Sequence, residues 1–311
     1  MVKVFTKGEI IMWLDIYLVA VVVAIACALP GVFLVIRGIT MLSDAITHSV
    51  LLGIVLAFFL VNDLNSPFLL IGATLTGLLV VWLIEGLQQT QLMSSDAAIG
   101  IVFPLFFSIG IILITRYAGD VHLDTDSVLM GELVFIPFRR LEMFGLDLGP
   151  VSLWGMLAIL LLNLGFITMF FKELKVTTFD PVFAMTIGIS PAIIHYALMG
   201  LVSLTAVGSY DAVGSILVVG FMVGPGLSAY LLSDDLKKML WISVFFAIIN
   251  SLIGITVARY LDVSLAGMLA VTTGLTTFLV FLFSPKKGWI KERLDYIKQK
   301  ETFKKWLASN S

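Results

Sequence analysis

The sequence predicts an all-α membrane protein, a bundle of eight or nine transmembrane helices. Of its 311 residues, 59% are hydrophobic and 13% are charged, whereas about a quarter of the residues of an ordinary soluble domain are charged. The mean hydropathy is +1.07. Apolar runs of about 20 residues, the length that a spanning helix needs, recur along the chain. These three observations exclude a soluble globular domain.

Nine apolar runs are long enough to span a bilayer, and the interval between residues 116 and 149 differs from them. This interval combines polar HLDTDS with VLMGELVFIPF, which is apolar but too short to cross. We expect it to be re-entrant or interfacial and covered by other protein. If one of the nine runs is also re-entrant, there are eight spans. The runs are 16–37, 41–62, 66–86, 96–116, 151–172, 190–208, 211–232, 239–259 and 264–284.

Basic residues that flank the spans predict the orientation. The tail after Pro285 carries eight Lys or Arg and three acidic residues, so we place it in the cytoplasm. Counting back through nine spans puts Arg37 and the basic residues of the loops at 172–175 and 237–238 on the same side. Arg139 and Arg140 fall on the outer side, against this trend.

Two ionisable residues lie inside the second run, in MLSDAITHSV. Asp44 and His48 are four positions apart and therefore share one helix face. One reading is a structural pair in which each side chain satisfies the other. The other is a site for Mn²⁺, Zn²⁺ or Fe²⁺, because carboxylate and imidazole ligands suit these ions. The spacing alone leaves both readings open.

The segment ELKVTTFDPVFAMTIGIS, residues 173–190, separates two spans on the side predicted to be cytoplasmic. A short amphipathic helix begins near Asp180, and Phe179, Phe183 and Met185 would be exposed on it. Such a helix could dock into a partner's groove, or the segment could be a plain connector.

The segment DAVGSILVVGFMVGPGLSAYLL places four glycines and a proline in an apolar run. Small residues allow close approach of helix backbones, and Pro225 is expected to break the helical hydrogen-bond ladder. We expect tight helix packing, with a gate or hinge as the second reading. The glycines are Gly214, Gly220, Gly224 and Gly226.

Four segments of the chain resemble a known family, in that family's order. MLSDAITHSVLLG and ELKVTTFDPVFAMTIGIS are similar to its "GDA.SHA" and "KEL..TFD...A...G" patterns, and DAVGSILVVGFMVGPGLSAYLLSDDLKKML and DVSLAGMLAVTTGLTTFLVFLFSPKKG also match. The family is the permease subunits of ATP-binding-cassette importers for manganese, zinc and iron. Ser43, Ser49 and Leu52 depart from residues frequent in the family, but none of these changes removes a ligand.

The resemblance implies a fold like that of type II ABC importers in a multi-pass protein of the bacterial plasma membrane. It implies a permease domain at 1–285, a basic amphipathic cytoplasmic tail at 286–311, and transport of Mn²⁺, Zn²⁺ or Fe²⁺, with manganese favoured. Asp44 and His48 would be the metal site in the pore. A coupling helix at about 179–189 would contact the ATPase through Thr178, Phe179, Asp180, Pro181 and Phe183.

The same resemblance implies the partners. These are a separate cytoplasmic ATPase that binds the ATP, an extracytoplasmic metal-binding protein, and a second permease, identical or related. The permease would not itself be an enzyme and would hold no permanent cofactor or nucleic acid. GDVHLDTDSVLMGELVFIPF resembles a manganese and iron branch whose members often have a related partner permease, which leaves a heterodimer open.

The two remaining histidines, His122 and His195, receive no metal role. His122, with Asp124 and Asp126, reads as a solvated polar loop, with contact to arriving cation as the alternative. His195 should be satisfied by a backbone carbonyl. Two other protein classes fit less well. A secondary cation transporter would usually carry several intramembrane carboxylates and related halves, and a membrane metallohydrolase would need a motif such as H-E-x-x-H, which the sequence lacks.

Overall fold

The computed structural model describes residues 7–63, 66–117, 133–143 and 146–291, with four further positions between 293 and 300. The described part of the chain contains ten α-helices, one 3₁₀ turn and one small hairpin. They are α1 (Lys7–Arg37), α2 (Met41–Val61), α3 (Pro67–Gln89), α4 (Ser95–Tyr117), a 3₁₀ turn (Ile136–Phe138), β1 (Arg140–Met143), β2 (Leu146–Pro150), α5 (Val151–Met169), α6 (Phe171–Phe179), α7 (Pro181–Thr186), α8 (Pro191–Leu232), α9 (Leu236–Leu261) and α10 (Leu265–Phe283).

Within these residues, nine helical stretches are long and apolar enough to cross a membrane. The predicted all-α bundle is confirmed, and each of the nine predicted runs corresponds to one of the stretches. Four boundaries differ by three residues or more. α1 extends to Lys7 at its start, α3 continues to Gln89 and α9 begins at Leu236. The run predicted to reach 172 ends at Met169, because α6 begins at Phe171.

Local sequence explains where several helices begin. Ser66, Asp180 and Ser190 are N-caps whose side-chain oxygens accept a backbone N–H of the first turn. Each is followed by proline, which is favoured at the first helical position because its missing N–H would have no helical partner there. At the other end of α1, Gly38 has a φ of +68°. This left-handed conformation ends the helix at low cost for glycine.

The long element α8 folds back on itself at Gly214. Its 42 residues would measure about 63 Å as one straight helix. Yet Arg37 contacts both His195, near the start of α8, and Thr178, and the next residue, Phe179, lines a pocket with Ser233, just after α8. Both ends of α8 therefore lie at one end of the bundle. Gly214 makes the reversal with φ 75° and ψ 163°, a conformation that is essentially restricted to glycine.

Helix α1 lies at the centre of the bundle. Its inward side chains between Ile16 and Leu34 are buried against α8, α9 and α5. Close approach requires small residues: a Cβ built on Gly31 would lie 1.9 Å from the carbonyl oxygen of Met222, and one on Gly226 would lie 3.2 Å from Gly31. The expected tight packing of the glycine-rich segment is confirmed at Gly224 and Gly226. Pro225 has no N–H to give to the hydrogen-bond ladder, as expected, but α8 continues through it to Leu232.

The hairpin of β1 and β2 was not predicted from the sequence. It pairs antiparallel, with Arg140 opposite Pro150. Arg140 fastens it to α1, since its Nη1 lies 2.8 Å from Asp15 Oδ2 and its Nε lies 2.6 Å from Asp147 Oδ2. The ion pair with Arg140, helped by the N–H of Gly149, holds the pKa of Asp147 below its ordinary value. The apparent exception to the charge pattern at Arg140 is thus an arginine paired with two carboxylates.

Candidate functional site

Asp44 and His48 share one face of α2, as their spacing predicts. Asp44 lies in the first turn of the helix, and its Oδ1 is 3.4 Å from Nε2 of His48. This separation exceeds the usual 2.7–3.2 Å of an N–H···O bond. The His48 ring packs against Phe103 and Phe107 of α4, with centroids 5.4 and 5.9 Å away. The imidazole is thus oriented by aromatic contacts as well as by Asp44.

Asp44 faces an open groove. Its side chain is 42% exposed, twice the 21% of His48. The groove has a volume of about 690 Å³ and runs between α2, the second half of α8 and α10. Its lining is otherwise uncharged, so a cation in the groove would meet a single carboxylate. The other lining residues are Thr40, Met41, Val219, Gly220, Val223, Gly224, Leu227, Leu231, Ala270, Thr273, Gly274, Thr277, Phe278 and Phe281.

The glycine-rich segment contributes to this groove in two ways. A Cβ on Gly224 would lie 2.4 Å from Cγ2 of Thr273, so this glycine allows α8 to approach α10. Gly220 has nothing within 4 Å of its Cβ position and leaves the groove wide. Among the described residues, no three His, Cys, Asp or Glu side chains are grouped closely enough to hold a metal ion. Asp44 and His48 are therefore a two-residue set.

The segment expected to contact an ATPase forms two short helices, α6 and α7. Asp180 separates them, and its Oδ1 accepts the N–H of Phe183 at 2.8 Å, with Pro181 at the first position of α7. Phe179 and Phe183 are 56% and 52% exposed. Gly188, at φ +83°, ends the segment. The expected single helix at 179–189 is thus shorter, and Phe179 belongs to the helix before it.

Thr178 is held by a polar cluster that sequence reasoning missed. Arg37 contacts Thr178, Thr177 and His195, and His195 in turn contacts Glu85. The prediction that a backbone carbonyl satisfies His195 is therefore wrong, because the His195 ring lies between two charged side chains. A signal was present: Glu85, Arg37 and His195 are ionisable residues in or beside apolar runs, which usually face one another or a cavity. His122, Asp124 and Asp126 lie outside the described residues.

Comparison with known proteins identifies the family. Residues 10–284 match the model of the ABC 3 transport family. The chain belongs to that family. The family predicted from the four sequence segments is confirmed. The prediction of a multi-pass protein of the plasma membrane is confirmed with it. The chain is similar to "Manganese transport system membrane protein MntD" of Bacillus subtilis, with 43% identity over 274 residues, 88% of this chain and 92% of that protein.

Two further similar proteins, one sequence relative and one solved structure, agree with this assignment. "Zinc transport system membrane protein TroD" of Treponema pallidum is 47% identical over 283 residues, 91% of this chain and 77% of that protein. The solved structure of PsaBC from Streptococcus pneumoniae in complex with Fab superposes with a TM-score of 0.75 at 29% identity, covering 91% of this chain and 95% of the matched chain. The ABC 3 family thus accounts for both the sequence and the fold.

Proposed function

We propose that this chain is the permease subunit of an ABC importer that carries a divalent transition metal, with Mn²⁺ favoured over Zn²⁺ and Fe²⁺, into the cytoplasm. The observation that carries the proposal is the match over 88% of the chain to a manganese transport system membrane protein. A zinc transport relative of comparable identity keeps Zn²⁺ as the second cargo. ATP binds to a separate cytoplasmic ATPase, so the permease is not itself an enzyme.

Asp44 and His48 are the metal ligands that this chain contributes. At a separation of 3.4 Å the two side chains are not tightly bonded to each other, so each keeps a lone pair that can bind a cation. The open groove beside Asp44 gives a cation access to this pair. Carboxylate and imidazole together suit Mn²⁺, Fe²⁺ and Zn²⁺. Two ligands do not fill a coordination shell. A second permease, identical or related, and water supply the others.

The ATPase docks on the coupling segment, defined as residues 171–189. Its exposed aromatic side chains Phe179 and Phe183 fit the apolar centre of a protein interface, where aromatic residues are enriched. An extracytoplasmic metal-binding protein delivers the cation to the opposite end of the bundle. ATP binding moves the coupling segment, and the bundle alternates between outward and inward access to Asp44 and His48.

A self-contained secondary cation transporter is the alternative. Such a protein needs further intramembrane carboxylates for ion coupling. Two carboxylates of the described spans are already paired, Glu85 with His195 and Asp15 with Arg140. These contacts favour the ATP-driven importer.

The test is metal uptake by liposomes that contain the permease, its ATPase and the binding protein. We expect Asp44→Ala or His48→Ala to reduce Mn²⁺ uptake by more than about tenfold, since loss even of an outer-shell partner typically costs about 10–100-fold in metal affinity. The complex should still assemble. Asp96→Asn is the control, because Asp96 is an exposed carboxylate in the first turn of α4. Normal uptake by both alanine variants would refute the site. Competition by Zn²⁺ and Fe²⁺ in the same assay ranks the cargo.

A further inference from the structure

Arg37 connects the coupling segment to the membrane helices through three different nitrogens. It is the last residue of α1. Its Nε donates to Oγ1 of Thr178 at 3.1 Å and its Nη2 to Oγ1 of Thr177 at 3.4 Å, both on α6. Its Nη1 lies 3.0 Å from Nδ1 of His195 on α8. One guanidinium therefore joins α1, α6 and α8.

The direction of these hydrogen bonds fixes the state of His195. Arginine has donors only, so Nδ1 of His195 must accept and carries no proton. The ring's other nitrogen, Nε2, then bears the hydrogen and donates to Oε1 of Glu85 on α3. His195 is thus neutral, and it lies between a positive Arg37 and a negative Glu85. The connection reaches a fourth helix without an uncompensated charge.

Few side chains of the coupling segment are fully buried, although Phe171 and Ile189 at its two ends pack against the core. Within α6, which is described throughout, the buried side chains are Leu174 and Thr177, and in α7 the buried side chain is Ala184. The hydroxyl of Thr177 donates to the carbonyl of Glu173 at 2.8 Å, which leaves its lone pairs for Arg37. The exposed Phe179 follows directly after Thr178. A force on Phe179 therefore reaches Arg37 within one helical turn.

We propose that Arg37 is a positioning residue of the transport cycle, which transmits movement of the coupling segment to α1, α3 and α8. This inference rests on the proposed function, since it assigns a role in ATP-driven transport. The geometry requires arginine, because a planar fork reaches acceptors on two helices at once. Lysine offers its donors from one point and does not reproduce the fork.

The first test is Arg37→Lys in the complete transporter, with ATP hydrolysis and metal uptake measured together. We expect the ATP hydrolysed per ion to rise about tenfold, the factor that corresponds to losing one charge-assisted hydrogen bond from the coupled step. The apparent KM for metal should be unchanged, while kcat of uptake falls. Arg259→Lys is the matched control. Arg259 also lies in the last turn of a span, but its guanidinium stacks over Trp13, 4.6 Å from the ring centroid.

The second test removes the acceptors. The double variant Thr177→Val/Thr178→Val should also raise the ATP hydrolysed per ion. Adding Arg37→Lys to this double variant should change the ratio by less than about twofold, because the effects of mutations that remove the same contact do not add. An unchanged ratio in Arg37→Lys, or fully additive effects, would overturn the proposal.

Hydrogen exchange of the purified permease separates this inference from the proposed function, because it needs no cargo. Arg37→Lys should accelerate amide exchange in 171–189 and leave 151–169 unchanged. Faster exchange with an unchanged ATP-to-ion ratio would make Arg37 a structural tie and overturn its role in transport. If the unmodified transporter carries no metal, the proposed function fails. In that case the exchange of Arg37→Lys still tests the contact between Arg37 and the coupling segment. Unchanged exchange in 171–189 would overturn the contact, and faster exchange would support it.

Discussion

A single methyl group at Gly31 should force apart the two helices at the centre of the bundle. Gly31 lies on α1, and a Cβ there would be 1.9 Å from the carbonyl oxygen of Met222 and 2.8 Å from its carbonyl carbon. Real Cβ contacts are essentially never shorter than 3.0 Å. The obstacle is backbone, so no rotamer change relieves it, and α8 must move away by roughly 1 Å, a shift of the kind that overpacking forces on a filled core.

The size of the effect follows from two opposing contributions. Overpacking that shifts backbone costs about 1–3 kcal/mol, occasionally more, while alanine in place of a helical glycine returns about 1 kcal/mol. We place Gly31→Ala at the upper end of the overpacking range, with a net loss of about 2 kcal/mol of stability. Gly165→Ala in α5 is the matched control. Its Cβ meets nothing within 4 Å, so only the favourable contribution remains.

The assay is thermal unfolding of the detergent-purified permease at one heating rate. At about 2–4 °C for each kcal/mol in a chain of 150–250 residues or more, Gly31→Ala should lower the midpoint by roughly 4–8 °C. Gly165→Ala should leave the midpoint unchanged or raise it. The midpoint of Gly226→Ala should lie between those of the other two variants, because the nearest atom to its added Cβ is 3.2 Å away. A Gly31→Ala variant as stable as Gly165→Ala would refute the close approach of α1 and α8.

Two further predictions concern the surfaces that are proposed to face partners. Replacing Phe179 and Phe183 by Asp places charge in an apolar contact and should abolish ATPase retention or uncouple hydrolysis from uptake; unchanged co-purification and substrate-stimulated hydrolysis would leave the segment a connector. Truncation after Gly288 removes basic residues that can each contribute about 1 kcal/mol at an anionic membrane surface, so uptake should persist at a reduced level with weaker ATPase retention. Complete loss of uptake from an intact complex would contradict this role for the tail.

The sequence predicted the parts of the structure that depend on local pattern. Hydrophobic run length located the spans, because each must match the thickness of the bilayer. Helical periodicity placed Asp44 and His48 on one face. The amphipathic stretch from Asp180 marked the start of α7, although the preceding Phe179 joined α6 instead.

The parts that could not be predicted depend on contacts between distant residues. Thr178 is 141 positions from Arg37, and His195 is 110 positions from Glu85, so no local pattern brings them together. The charge pattern marked Arg37 only as an indicator of orientation. The hairpin was missed for a similar reason. Its strands of four and five residues are held by Asp15 of α1, far away in the sequence.

The position of the hairpin provides an independent argument for the topology. Arg140 joins the hairpin to Asp15 of α1. Arg37, the last residue of the same helix, contacts the coupling segment. Asp15 and Arg37 are 22 positions apart in α1, which corresponds to about 33 Å along a helix axis. This distance is close to the roughly 30 Å thickness of the hydrocarbon core of a bilayer. The hairpin and the coupling segment therefore lie on opposite sides of the membrane, whatever the count of basic residues. If the ATPase binds the coupling segment from the cytoplasm, Arg139 and Arg140 must be outside, and their exception to the charge pattern is required by the fold.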